Sequence, residues 1–513
     1  MDRPLASARL AGGGRVDLPE MPVGSSAILA LDAHPGDYVR GQLKVKAGRF
    51  DLDLIFADGR HLRRLASDAE GVATFQFMVP QTGLRLVATA RAAGMASLEI
   101  TMRLAPGQQT APASSLMSPR MAALSAEIAR GGTTQTFWEE VRQRGTPLVE
   151  PGGDGDVILT FLARGARTNV RLVGAPSGDH EWLQRLGDSD VWFESFRVPP
   201  DTRLSYKLAP DVPDLPGSRR ERRMALLATA AADPLNHAPW PADAPDAYNQ
   251  DSTLELPGAP VQPGLTPRNV PHGALSEVRI ASRRLGNTRT ITIYTPPGFD
   301  PKDPRNVLLI VFDARAYLTK VPTPTILDNL IAEGRLPPVV AVFVSEIDPP
   351  TRSRELPGND AFADYMAGEV LPLVRSRTGA NIPAVRTILA GSSYGGLAAA
   401  TVALRHPDRF GNAIALSGSF WWHPDSAPAD APEHVAEQVA TEPVRAVRFH
   451  LTAGLFEAAH EDTPGILETS RHLRDVLRAK GYDVSYLEYA GGHDYLVWRG
   501  ALADALLALL PRL

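Results

Sequence analysis

The 513-residue sequence contains no cysteine. That removes disulfide frameworks, thiolate zinc sites, iron–sulfur clusters and thiol nucleophiles together, and it fits either the cytoplasm or a bacterial periplasm. Long apolar runs are missing too: none approaches the roughly 20 residues that a membrane span requires. The opening MDRPLASARLAGGG lacks the apolar core of a secretory signal. The expectation is a protein that does not insert into a membrane, with an export signal that either lies outside this sequence or never existed. Nor is there an excess of cationic residues, since 53 Lys and Arg face 58 Asp and Glu, for a formal net charge of −5. Nonspecific nucleic-acid binding needs a basic surface, so no nucleic-acid partner is expected. What remains is ordinary for folded protein, with 44% hydrophobic and 22% charged residues. The length predicts about three domains.

Residues 1–110 read as β structure. The runs SSAILALDA, GQLKVKAG, FDLDLIFADG, ATFQFMV, LRLVATARA and ASLEITMRL are short and strand-like, and several are closed by turn residues such as Asp58-Gly59. They predict a small, catalytically silent β-sandwich. Linker chemistry follows in APGQQTAPASS, then a helix capped by Ser118 with Pro119 at its first position. A second β unit completes residues 111–240. FWEEVRQRG predicts a helix ended by Gly145, and DVILTFLARG, TNVRLVGA, VWFESFRV and RLSYKLA predict strands. Residues 241–273 carry seven prolines between Pro241 and Pro271, as an extended linker or a strap on a neighbouring domain.

From residue 274 the pattern changes. Two alternating strands, SEVRIAS and RTITIYTP, precede the apolar runs NVLLIVFD, VVAVFVSE, RTILAGSS, NAIALSGS, VRFHLTAG and VSYLEYAG, separated by helical segments. Continuous apolar strands between helices mean a parallel sheet covered on both faces. The fold class expected is an α/β-hydrolase C-terminal domain over 274–513, with a mixed, mostly parallel sheet, preceded by two small all-β sandwich domains.

Gly391-Ser392-Ser393-Tyr394-Gly395 fits G-x-S-x-G between an apolar strand and a helix, the context of a nucleophile on a sharp turn. A serine hydroxyl is a weak nucleophile and needs a base. In this fold the order is Ser, then acid, then His. His493 follows Gly491-Gly492 after the last strand run. The acid belongs after VRFHLTAG, where Glu457 is the candidate, with Glu461 and Asp462 as neighbours and Asp494 pointing elsewhere. A Ser–His pair without an acid is the remaining alternative. Oxyanion donors are expected from the backbone N–H of Tyr394 and from the turn after NVLLIVFD, at Ala314 or Arg315. Trp421, Trp422, Trp498, Arg499, Arg352 and Arg354 fall at strand ends or beside these residues. Aromatic rings beside guanidinium groups suit a planar anionic ligand.

The segments FWEEVRQRGTPLVE, RLGDSDVWFESFRVP, DPLN, LELPGAP, RSRELPGND, GSSYGG, SGSFWW and GGHDYLVWRG occur in one order over roughly residues 135–513. Together they resemble the enterochelin (ferric enterobactin) esterases. The resemblance implies a serine esterase that opens the lactone bonds of a catecholate siderophore through an acyl-enzyme on Ser393, with His493 as base and Glu457 as acid. It also implies a small-molecule siderophore partner and no cofactor or metal of the protein's own, since iron arrives with the substrate. The front 110 residues resemble the pre-peptidase C-terminal-type β-sandwich of exported bacterial enzymes, which favours the periplasm over the cytoplasm. Two alternatives stand beside this reading: a carboxylesterase acting on feruloyl-sugar or other small acyl esters, and a non-catalytic siderophore-binding protein. The sequence sets no oligomeric state.

Overall fold

The computed structural model describes residues 6–10, 14–109, 116–178, 181–213, 225–428, 431, 433–459 and 464–510. The chain divides into two compact units, Met1–Ser115 and Leu116–Leu513.

In the first unit the described residues form one seven-stranded sheet around a single apolar core that includes Phe50, Leu52, Phe75, Leu86 and Leu98. The sequence reads as several short strands, whereas Tyr38–Ile55 and Arg85–Leu104 are each continuous. The stretches around Gly48 and Gly94, which resemble turns, are irregularities inside these strands, where the register shifts between Val45, Ala47, Arg49 and Phe50. An inserted residue bends a strand without ending it. The strand His61–Ala69, rich in Arg and without clean alternation, was not foreseen.

The second unit opens with the helix Pro119–Ala129, capped by the Ser118 side chain, which accepts from the Met121 N–H, and the helix Gln135–Arg144, ended by Gly145 at φ 80°. Two four-stranded sheets follow. One contains Leu148–Gly153, Asp156–Arg164, Gln184–Arg185 and Val191–Val198. The other contains Val170–Gly174, Arg203–Pro210, Pro239–Trp240 and Asp251–Glu255. Along Asp156–Arg164 the residues alternate: Leu159, Phe161 and Ala163 fill the core shared with the second sheet, while Leu162 packs with Phe137, Trp138 and Met121 of the helices. The proline-rich segment is therefore no free linker. It donates the strand Asp251–Glu255 to this small domain and then straps the hydrolase, where Asn329 Nδ2 donates to the carbonyls of Gly264 and Thr266.

The hydrolase sheet has eight strands: β1 Ala274–Ser282, β2 Asn287–Thr295, β3 Val307–Phe312, β4 Val339–Val344, β5 Thr387–Ser392, β6 Asn412–Leu416, β7 Arg448–Gly454 and β8 Val484–Tyr489, in spatial order β1-β2-β4-β3-β5-β6-β7-β8. β1 and β2 form an antiparallel hairpin, β2 meets β4 antiparallel, and the remaining pairs are parallel. In β3, Leu308, Ile310 and Phe312 enter one apolar layer and Val307, Leu309 and Val311 the other. Burial on both faces is why these strands read as unbroken apolar runs. Ligands of such sheets bind outside the carboxyl ends of the strands, where β3, β5, β6 and β7 now converge.

Candidate active site

Ser393 follows β5 and precedes the helix Tyr394–Arg405, with φ 58° and ψ −123°. The turn is tight enough that a Cβ on Gly391 would lie 2.6 Å from the carbonyl carbon of Gly395. Asp313 after β3 (φ 59°) and Ser417 after β6 (φ 48°) are also held in the left-handed region. Three non-glycine residues of this kind at neighbouring strand ends mark a functional edge, since each costs of order 1–3 kcal/mol. The Ser393 N–H donates to the Leu416 carbonyl at 3.0 Å. Ser393 Oγ lies 3.4 Å from Ser419 Oγ, and among the described residues no hydrogen bond joins it to His493.

His493 Nδ1 lies 2.5 Å from Glu457 Oε1. A carboxylate only accepts, so Nδ1 carries the proton and Nε2 presents its lone pair. The Glu457 side chain is 3% exposed and that of His493 40%, which places the acid inside and the base at the surface of the cleft. The second oxygen of Glu457 is also engaged, accepting from the Gly454 N–H at 2.6 Å and from Ser417 Oγ at 2.7 Å. Trp498 Nε1 donates to Ser417 Oγ at 3.0 Å, and its ring meets His493 edge-on at 4.8 Å between centroids. A hydroxyl on a strained turn, an imidazole with a free nitrogen and a buried carboxylate at one sheet edge are the parts of acyl transfer.

The other foreseen residues have surroundings of their own. Trp498 is buried and packs under the imidazole, so it supports the base instead of meeting a ligand. Arg499 donates to Gln262 Oε1 and Glu255 Oε1, and burial lowers its affinity for its proton. Arg352 forms a two-bonded pair with Asp313 at 2.6 and 2.7 Å, and its guanidinium carbon lies 5.9 Å from the Tyr394 ring centre. Burial opposes the Arg352 charge, but the bonds to the Asp313 carboxylate outweigh it, so the guanidinium holds its proton more firmly. Arg354 is exposed and donates to Thr351 Oγ1. Trp421 meets the Tyr394 ring at 6.2 Å, and Trp422 packs edge-on against His434 and against the hydrolase core. Ala314 is buried at the start of the helix Ala314–Thr319, and Arg315 is exposed beside it. Glu461 and Asp462 lie outside the described residues. Asp494 turns away from His493 to cap the helix Tyr495–Leu509.

Sequence reasoning missed Asp313, Ser417 and Glu346. The last follows β4; its Oε2 is buried without a hydrogen-bond partner among the described residues, and burial pushes its carboxyl above the usual range. The usable signal was polarity at the end of an apolar run, as in NVLLIVFD, NAIALSGS and VVAVFVSE. Among the described residues no group of three or more His, Asp or Glu side chains is placed to hold a metal ion.

Fold and site define a carboxylic ester hydrolase of the α/β-hydrolase type. Residues 158–265 match the family described as enterochelin esterase, N-terminal, and residues 282–509 the family described as putative esterase. An iron(III) enterobactin esterase of Dickeya dadantii is 32% identical over 413 residues, covering 73% of this chain and 93% of that protein. The chain belongs to the iron(III) enterobactin esterase family. The crystal structure of ferric enterobactin esterase from Salmonella typhimurium is 29% identical and superposes with a TM-score of 0.61, over 74% of this chain and 99% of that one. The enterobactin esterase of Shigella flexneri in the presence of enterobactin gives a TM-score of 0.58 at 29% identity, over 72% and 96%.

Proposed function

We propose that this protein hydrolyses the ester bonds of a catecholate trilactone siderophore, enterobactin or a close analogue, with Ser393 as nucleophile. The observation that carries the reading is the elbow serine at the same sheet edge as a histidine locked to a buried glutamate. Ser393 Oγ turns from Ser419 to His493 Nε2 and attacks a lactone carbonyl carbon, passing its proton to Nε2. Glu457 stabilises the imidazolium through Nδ1–H. The tetrahedral oxyanion faces the Tyr394 N–H and the turn at Ala314 and Arg315, with the Arg352–Asp313 pair alongside. Collapse breaks the ring C–O bond, and His493 returns its proton to the leaving serine alkoxide. Water then attacks the acyl-enzyme with His493 as base, which frees a linear dihydroxybenzoylserine ester and restores Ser393. Iron arrives chelated by the substrate, so the reaction asks for no metal held by the protein. Exposed Arg354 and the half-buried Trp421 and Trp422 remain the residues suited to a planar anionic ligand. The resemblance of the N-terminal β unit to one carried by exported enzymes is what supports the periplasmic setting proposed with it.

The test is mass spectrometry of products from ferric and iron-free trilactone, beside feruloyl and short-chain aryl esters, for wild type and Ser393→Ala. Linearised trilactone from wild type, with turnover reduced roughly 10³-fold or more in the variant, is the expected outcome. Cleavage of aryl or feruloyl esters alone would remove the siderophore from the reading, and an active variant would remove Ser393.

A further inference from the structure

The small β domain touches both loops that carry the acid and the base. Strand Arg203–Pro210 runs along the His493 loop: the Arg203 N–H donates to the Ala490 carbonyl at 2.9 Å, and the Ser205 N–H donates to Asp494 Oδ2 at 3.1 Å. Asp494 Oδ1 meanwhile accepts from the Leu496 and Val497 N–H groups, so a single carboxylate ties the terminal helix to the neighbouring domain directly after His493. The two glycines before the histidine let the domains meet. A Cβ on Gly492 would lie 2.6 Å from Ala175 Cβ, and one on Gly491 would lie 2.8 Å from the Arg203 carbonyl oxygen. On the acid side, Phe456, next to Glu457, packs against the inter-sheet core of the small domain formed by Phe161, Leu172, Leu204 and Tyr206. The loops also join each other, since the Phe456 N–H donates to the Gly491 carbonyl at 3.1 Å.

We infer that the small β domain is a positioning element for the chemistry itself: it sets the distance and direction of the Glu457–His493 pair through Phe456 and Asp494. The inference rests on the proposed roles of Ser393, His493 and Glu457. The pair is not fixed by the hydrolase sheet alone, because Glu457 lies three residues beyond β7 and His493 four beyond β8, both on irregular backbone. Such loops need an external template, and a misplacement of about 1 Å costs on the order of 100-fold in rate. Asp494 and Phe456 are positioning residues here, since they act through their neighbours.

A substrate too small to need the second domain for binding isolates this role. With 4-nitrophenyl acetate, Asp494→Asn keeps an oxygen for the helix cap but turns an amide N–H₂ towards the Ser205 N–H. Phe456→Ala empties the seat in the small domain, and Phe456→Leu largely refills it. The expected result is a kcat lower by about 10- to 100-fold in Asp494→Asn and Phe456→Ala, with KM within about twofold, recovery in Phe456→Leu, and broadening of the downfield His493 Nδ1 proton resonance. Circular dichroism melting identifies a variant that fails to fold, in which case Asp494→Asn carries the decision. Unchanged kcat on the small ester, with KM raised only for the trilactone, would overturn the inference and confine the domain to shaping the substrate cavity. Failure of the underlying reading looks different: Ser393→Ala would then hydrolyse the small ester as wild type does.

Discussion

Around Glu457 and the Nδ1 side of His493 each polar group has a named partner. The imidazole proton goes to one carboxylate oxygen, while the other takes the Gly454 N–H and the Ser417 hydroxyl, itself fed by Trp498. Around Ser393 the hydrogen bonding is sparse, and its Oγ has one long contact with Ser419. The serine is fixed by shape instead, on a backbone at φ 58° between glycines that allow the strand and helix to touch. One half of the site is held by directional bonds that can be removed one at a time. The other is held by steric exclusion, which fails all at once.

That difference can be broken experimentally. The largest effect belongs to the steric half. Gly391→Ala drives a methyl to 2.6 Å from the Gly395 backbone, where nothing flexible can yield, so esterase activity should fall more than roughly 100-fold with a lower melting temperature. Gly395→Ala is the control, since its Cβ would meet Asp313 Oδ2 at 3.4 Å, and it should stay within about tenfold of wild type. Equal losses in the two would show that the elbow is not held by this contact.

In the hydrogen-bonded half the effect is intermediate. Ser417→Ala removes a bond to a buried charge and orphans the Trp498 N–H, which together are worth about 1.5–3 kcal/mol. The expected outcome is a kcat lower by roughly 10- to 100-fold with KM preserved, measured on wild-type and variant enzyme with one ester. An unchanged kcat would mean that the Gly454 N–H alone orients the acid.

The smallest effect is one of stability, and it concerns the titration of Asp494. Burial pushes its carboxyl up to about 6, against about 3.9 in an unfolded chain. The folded protein therefore holds this proton more tightly, and the group's contribution to stability declines as pH rises from about 4 to about 6, then stays level. Asn at this position cannot titrate. The melting temperature of Asp494→Asn relative to wild type should thus climb over that interval and run parallel above it. A constant offset throughout would assign the slope to other carboxylates.

Much of the site was legible because its signals are local. The elbow glycines sit in one pentapeptide, and the order of serine, acid and histidine follows from which loop succeeds which strand. Glu457 could be singled out over its neighbours for this reason, although no spacing in sequence brings it to His493. The rest depends on contacts made at long range. Arg352 looked like a free cation because its partner, Asp313, lies 39 residues away. Trp498 and Arg499 looked like ligand surface because the groups that satisfy them, Ser417 and Glu255, come from other elements. In the first unit, glycines inside strands imitated turns, since the same residue serves a bulge as readily as a hairpin.

The strand Asp251–Glu255 has a consequence for anyone dividing this protein into parts. By composition the boundary falls where prolines accumulate, near residue 241, yet that cut severs an inner strand hydrogen-bonded to Arg203–Tyr206 on one side and to Pro239–Trp240 on the other. Leu256 still belongs to the small-domain core, while Gln262 already grips the terminal helix through the Leu496 carbonyl. The changeover falls between them, where Pro260 still accepts from the Arg203 guanidinium at 2.8 Å, so modules exchanged between relatives, by recombination or by design, keep this sheet whole when the join lies beyond Glu255.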